Sequence, residues 1–393
     1  MNKDDFKILN SGLIYLDNGA TTMKPQVVVD TIIDYYTKYT ANAHRGDYQN
    51  SLKVDDAYEG ARTIVKDFIN AKSNKEVVFT YGCTDSLNRI VFGYFKNKLN
   101  ANDEVILTLA EHASNVLPWF EIGCIVKYIP LTDDYHVTLD NLKSAITPNT
   151  KVISIAHITN TIGDLRPVKE IIKYAHEHNI LVVLDAAQSI AHIKIDVQDL
   201  DVDFLAFSGH KIYGPTGIGV LYGKENLLEE LKPIFYGGDM NSEFSSDGSK
   251  SYHDLPSRDE AGTQNIAGAI GLGSAIKYIN NIGLDKIHSH EMELREYLIT
   301  ELKKNSNIEI YNENAESGLI LFNYKDVFAQ DLAIYLDKYH IAVRAGNHCA
   351  KMLKETLGIK NTCRISLGLY NDKNDCDAII KALNNPNLKN EII

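Results

Sequence analysis

Short runs of consecutive apolar residues recur through the middle of the chain, each closed by a polar or small residue. Val77–Thr80, Val105–Thr108, Val152–Ala156 and Leu181–Leu184 show no apolar–polar alternation, so the strands they predict are buried on both faces. Between them lie amphipathic segments such as Val168–His178. This alternation predicts an α/β protein: a mostly parallel sheet covered by helices on both faces. Two more runs, Asp203–Phe207 and Gly219–Tyr222, predict strands joined by a glycine-rich loop. Near the start, the run Leu13–Thr22 breaks into a small-residue turn before Pro25, where a helix carrying Val27, Val28, Ile32 and Tyr35 begins. From about residue 275 onward the pattern changes. A long helix at Leu284–Lys304, apolar runs at Ile308–Tyr311 and Gly318–Tyr324, and a helix at Gln330–Tyr339 predict a smaller α+β domain.

Ligands of parallel sheets bind at the carboxyl ends of strands. That rule selects Gly82, Cys83 and Thr84, then His112, then His157 and Asn160, then Asp185 and Gln188, and finally Ser208 to Lys211. Lys211 sits between a buried strand and a glycine-rich turn, a setting that suits a Schiff-base lysine, whose amine must be partly desolvated to act as a nucleophile. Gly82–Thr84, followed by a helix over Asp85–Phe95, offers backbone N–H groups and a hydroxyl to a phosphate. Asp185 could pair with a protonated ring nitrogen, Gln188 could donate to a ring oxygen, and His112 could stack and transfer protons. Each residue has a structural alternative: an exposed lysine in a tight turn, a capping aspartate, a packed histidine. Compatible chemistry at five strand ends favours one small aromatic cofactor with a phosphate.

Composition narrows the function classes. The chain has 393 residues, 44% hydrophobic and 23% charged, enough for two domains. A net charge of -12 without a basic stripe excludes a nucleic-acid footprint. No signal-peptide core or apolar span is found, which places the protein in the cytoplasm, away from membranes. Five scattered cysteines without a C-x-x-C pair indicate neither a disulfide framework nor a zinc site. Cys363 and Cys376 read as packing residues. The pairs His176/His178 and His288/His290 are rejected as metal sites, because residues two apart do not share a helix face.

Val182–Ser189 and Ser208–Gly219 resemble the class V aminotransferase family of fold-type-I pyridoxal phosphate (PLP) enzymes, and within it the cysteine desulfurases. Tyr15–Thr22, Asn42–Gly46, Glu111–Trp119, Glu260–Gly268, Arg344–Ala350 and Arg364–Asn371 extend the match over nearly the whole chain. The short Arg344–Ala350 loop is similar to the group II, Suf-type branch. The resemblance implies a seven-stranded, mostly parallel sheet in a large domain (26–275), a small domain (276–393), and an amino-terminal segment (1–25) packed with the small one. It implies that Lys211 holds PLP, His112 stacks on its ring, Asp185 pairs with the ring nitrogen, and Gln188 and Asn160 lie near the ring oxygen. Thr84, Ser208 and His210 would hold the phosphate, with Cys83 beside the cofactor and Thr263 reaching across from the second subunit of a homodimer. Arg364 would bind the substrate carboxylate, with Arg344, Arg45, His44 and Asn160 lining the same pocket.

Cys349 would be the nucleophile that takes sulfur from L-cysteine, leaving L-alanine and a persulfide for a small sulfur-acceptor protein in iron–sulfur cluster assembly. A helix starting just after it, with Leu353 and Leu357 on one face, would favour its thiolate. The chain departs from the family pattern in three places: Cys83 for a threonine, which removes one phosphate hydroxyl, Asn347 for a histidine, and Asp47-Tyr48-Gln49 after Arg45-Gly46. Selenocysteine lyase, another class V lyase or transaminase, and a non-catalytic PLP-fold module are the competing readings.

Overall fold

The unbroken apolar runs become the interior of a seven-stranded sheet in the computed structural model, which describes residues 3–358 and 361–392. Across the sheet the order is Val77–Thr80, Gly219–Gly223, Phe204–Ser208, Leu181–Asp185, Thr150–Ala156, Glu104–Thr108 and Ile125–Ile129. Gly219–Gly223 runs antiparallel to both neighbours and all other pairings are parallel. The remaining strands therefore point one way, and their carboxyl ends share an edge. Every residue of Glu104–Thr108 and Phe204–Ser208 is buried, as runs without alternation require. The covering helices explain why: Val168–Glu177, for example, buries Val168, Ile171, Ile172 and Ala175 on one stripe.

A second sheet is four-stranded and antiparallel, in the order Ile308–Ile310, Leu319–Tyr324, Thr362–Ser366 and Arg344–Gly346. Its own apolar cluster includes Leu298, Phe322, Leu332, Leu336 and Ile379. The amino-terminal segment ties the two sheets together. Ile14–Tyr15 pairs in parallel with Ile341–Ala342, while the Thr22 N–H donates to the His210 carbonyl at 3.0 Å.

One helix start differs from the sequence expectation. The helix expected over Asp85–Phe95 begins at Cys83, running as an α-helix over Cys83–Asn88 and continuing as a π-helix over Arg89–Phe95. Gly82 permits this early start, because its φ of 150° is a conformation that side chains disfavour and its carbonyl accepts from Ser86 N–H at 3.0 Å.

Beneath the carboxyl edge lies a fully buried ionic network. Arg166 pairs with Glu111 and with Asp164 at 3.1 Å, and donates to Thr108 Oγ1 at 2.8 Å. Glu111 also accepts from Asn115 Nδ2 and from Ala156 N–H, both at 2.9 Å. Removing one partner of such a group strands buried charge, so Arg166→Met is expected to destabilise the fold by about 3–5 kcal/mol. Urea unfolding of the two proteins measures this; a difference under about 1 kcal/mol would show that the network tolerates the loss.

Candidate active site

Lys211 ends a short turn, Gly209–Lys211, that follows the strand Phe204–Ser208. The turn is tight because Gly209 lies where a Cβ would come within 2.7 Å of Ile218. Its shape is held from the amino-terminal segment. The His210 carbonyl accepts from Thr22 N–H, from Thr22 Oγ1 at 3.1 Å, from Thr21 Oγ1 at 3.2 Å and from Lys24 Nζ at 3.3 Å. The residue before Lys211 is thus fixed, while the Lys211 amine has no hydrogen-bond partner among the described residues. Burial lowers the Lys211 pKa, the Arg364 and Arg344 charges lower it further, and Asp185 opposes them. A lysine so placed is more readily a neutral nucleophile than one in water.

Lys211 opens into a cavity of about 170 Å³, which Cys83, Thr84, His112, Asn160, Asp185, Gln188, Ser208, His210 and Arg344 also line. The convergence follows from the shared carboxyl edge. Gly19, Ala20, Ser114 and His348 join them, and sequence reasoning did not select these. Ser114 is the one with a local signal, two residues after His112. The others arrive from the amino-terminal turn and the small sheet.

Charge is arranged asymmetrically around this space. Asp185 Oδ1 accepts from Ala187 N–H at 2.9 Å and from Cys83 Sγ at 3.4 Å. The Cys83 thiol is therefore directed at Asp185. Burial, and then the Lys211, Arg344 and Arg364 charges, push His112 down to about 4. His112 is neutral at pH 7, and because its Nδ1 accepts from Ser114 N–H at 3.1 Å, its proton sits on Nε2. His210 is likewise pushed down to about 4, first by burial and then by Lys211 and Lys24. At the other end of the cavity Thr84 Oγ1 lies 2.7 Å from Ser114 Oγ, and Ser208 Oγ accepts from Cys83 N–H at 2.7 Å. Gln188 donates from Nε2 to the Gly19 carbonyl at 2.9 Å.

Cys349 stands at the small-sheet side, on a loop bound to the large sheet. Asn160 Nδ2 donates to the His348 carbonyl at 2.5 Å, and Ala113 N–H donates to the Cys349 carbonyl at 2.9 Å. His348 and Cys349 are both left-handed, with φ of 50° and 57°, a conformation that costs a non-glycine residue on the order of 1 kcal/mol. The loop so held leaves the Cys349 thiol exposed, 3.9 Å from Arg344 Nη2. Leu353 on the helix Lys351–Leu357 is buried behind it.

The remaining predicted residues lie off the cavity wall. Arg364 is fully buried under Gly19, donating to the Asn160 carbonyl at 2.6 Å and to Asp17 at 3.0 Å, while its Nε has no partner among the described residues. Arg45 is exposed and paired with Asp239 at 2.6 Å. His44 is exposed beside Glu59, whose hydrogen bond raises its pKa. Within this chain neither lines the cavity; each is paired with a carboxylate. Thr263 is exposed on the loop before the helix Ile266–Ile282.

These residues fit pyridoxal phosphate. A desolvated lysine, a buried carboxylate with one oxygen loaded by donors, and a neutral histidine are the groups that a Schiff-base aldehyde and a protonated pyridine ring require. Buried Asn160 Oδ1 and His348 Nδ1, both of residues lining the cavity, lack partners among the described residues and add polar capacity for a ligand.

Comparison with known proteins agrees with this chemistry. The aminotransferase class-V family model matches residues 14–379. A probable cysteine desulfurase of Halalkalibacterium halodurans is 43% identical over 383 residues, covering 96% of this chain and 94% of that protein. The cysteine desulfurase CsdA (S-sulfonic acid) of Escherichia coli superposes with a TM-score of 0.93 at 35% identity, covering 100% of both chains. The apo cysteine desulfurase of Thermococcus onnurineus gives 0.93 at 36% identity, covering 98% of each. With a family model spanning most of its length and a lysine cavity at the carboxyl edge of its sheet, the chain belongs to the class-V aminotransferases.

Proposed function

We propose that this chain is a PLP-dependent cysteine desulfurase that converts L-cysteine and the Cys349 thiol into L-alanine and a Cys349 persulfide. The observation that carries the reading is the exposed Cys349 thiol, held on a left-handed loop beside Arg344, which itself lines the Lys211 cavity. Neither proton transfer nor transamination uses such a thiol.

Lys211 would hold the cofactor, with Asp185 opposite its ring nitrogen, Gln188 and Asn160 at its ring oxygen, His112 against its face, and Thr84, Ser208 and His210 at its phosphate. Bound there, PLP supplies an electron sink conjugated to the substrate Cα. The Lys211 amine takes the Cα proton, for which its burial keeps it available as a base. Arg364 takes the substrate carboxylate, for which its planar fork is suited. Cys349 then attacks the substrate sulfur: the S–S bond forms, the Cβ–S bond breaks with its electron pair going to Cβ, and protonation of Cβ together with return of a proton to Cα gives alanine. Arg344 places a positive charge beside the sulfur that is loaded. A persulfide is an activated sulfur, so an acceptor thiol must remove it; a small acceptor protein serving iron–sulfur cluster assembly suits that step.

The short Arg344–Ala350 segment supports placing the chain in the group II branch. Separate apolar clusters under the two sheets support a large domain over 26–275 and a small one over 276–393; Leu16 in the small cluster and the pairing of Ile14–Tyr15 with Ile341–Ala342 support packing residues 1–25 with the small one, while Phe6 joins the large cluster. We further propose a homodimer in which Thr263 reaches the partner's phosphate site. An open groove lined by Tyr81, Phe92 and Phe235 runs beside Thr84 and His210 and supports a second copy there. Among the described residues no helix is long and apolar enough to cross a membrane. Free cysteines and persulfide chemistry support a reducing, cytoplasmic setting.

The PLP-loaded protein, given L-cysteine and dithiothreitol, is expected to release alanine and sulfide in a 1:1 ratio. Pyruvate and ammonia in place of alanine, or amino transfer to a keto acid, would replace this reading with a lyase or a transaminase. Turnover of L-selenocysteine without L-cysteine would make the chain a selenocysteine lyase.

A further inference from the structure

The electron demand of a pyridine ring depends on the carboxylate facing its nitrogen, and Asp185 is held on one side only. Both donors to its carboxylate, the Ala187 backbone N–H and the Cys83 thiol, load Oδ1. No described group donates to Oδ2, which is left for a ligand in the cavity that both side chains line. A thiol is a weak donor, and 3.4 Å is a normal S–H···O separation. The two groups meet from elements that are independently anchored. Cys83 opens the helix Cys83–Asn88 with its N–H on Ser208 Oγ, while Asp185 ends the strand Leu181–Asp185. Burial, and then the Asp185 charge, raise the Cys83 thiol well above its ordinary value, so it remains an S–H donor at neutral pH. Lys211 and Glu111 are the other charges felt by Asp185, and they act in opposite directions.

We propose that Cys83 is a positioning residue of the active site: its thiol proton orients the Asp185 carboxylate, leaving Oδ2 for the ring nitrogen, and stabilises the negative charge that keeps this nitrogen protonated. The inference rests on the PLP reading above. Without the S–H donor, Asp185 becomes more basic and takes a larger share of the proton. The ring then draws electrons less strongly, and the Schiff base between Lys211 and the cofactor becomes harder to deprotonate.

Cys83→Val roughly keeps the bulk of the thiol, with an added β-branch, but removes the donor, whereas Cys83→Ser and Cys83→Thr supply an O–H. In the PLP-loaded proteins, pH titration of the visible band is expected to give Cys83→Val an apparent pKa at least about half a unit above wild type. Cys83→Ser and Cys83→Thr are expected at or below the wild-type value. The apoprotein of Cys83→Val should bind PLP at least about threefold more weakly, and its kcat should fall about tenfold with KM within about twofold. Cys83→Ala, equally without a donor, replaces Cys83→Val if the latter does not fold. A wild-type band pKa in the donor-free variant, or the same raised value in Cys83→Ser, overturns the proposal, since packing alone would then explain the residue. Wild-type protein that takes up no PLP overturns the cofactor reading along with it, and that outcome is seen before any variant is compared.

Discussion

Lys211→Ala is expected to lower the rate of alanine formation by about 10³-fold or more while leaving the protein folded. The size of the effect follows from two tasks that no neighbour can take over, covalent attachment of the cofactor and transfer of the Cα proton. His112, another candidate base lining the cavity, is held neutral with its Nδ1 occupied by Ser114 N–H, and its pKa of about 4 makes it a weak base. The fold should survive because the amine makes no hydrogen bond or ion pair with another described group, so its loss breaks no polar contact and removes a desolvated amine. Two measurements test this: kcat for alanine, and the fraction of cofactor that becomes covalently attached after borohydride reduction. Wild type should retain it and the variant should not. A variant within about tenfold of wild type in kcat would show that Lys211 is structural.

Cys349→Ala is expected to reduce sulfide release below about 1% of wild type and yet preserve both the visible band and its response to L-cysteine. Substrate binding and Cα deprotonation depend on the cavity, whereas sulfur removal depends on the thiol at its small-sheet side. The substitution is a clean one. Alanine and cysteine pay the same left-handed backbone cost at φ 57°, and the thiol's recorded contact is Arg344 at 3.9 Å. Stopped-flow spectra with L-cysteine, run beside a sulfide assay, separate the two halves of the reaction. Sulfide release at the wild-type rate would remove Cys349 from the mechanism; loss of the spectral response as well would move it from sulfur acceptance to substrate binding.

The large sheet was legible because strands buried on both faces must be written as unbroken apolar runs, and the residue ending each run must then lie at the sheet's carboxyl edge. Ser208, His210, Lys211, Asp185, Asn160, His112 and Thr84 could therefore be named from the sequence, and the structure brings them to one cavity. Less was legible where side-chain direction depends on distant segments. His44 and Arg45 read as pocket residues, yet Glu59 and Asp239 hold them at the surface of this chain. Arg364, proposed for the substrate carboxylate, lies under Gly19 with Asp17 and the Asn160 carbonyl as partners, an arrangement that depends on three distant segments.

By itself the sequence determined the α/β class, the carboxyl-edge set centred on Lys211, and the placement of Cys349 on a loop of the smaller unit. These depend on periodicity, on strand termini and on glycine turns, which are local properties of the chain. Only the tertiary structure decided that the Cys83 thiol serves Asp185, that four donors from the amino-terminal turn grip the His210 carbonyl, and that Asn160 and Ala113 pin the Cys349 loop. Each of these contacts joins residues about a hundred or more positions apart. Their geometry is set by how sheets and turns pack, and a one-dimensional pattern carries no information about which way a side chain points across such a gap.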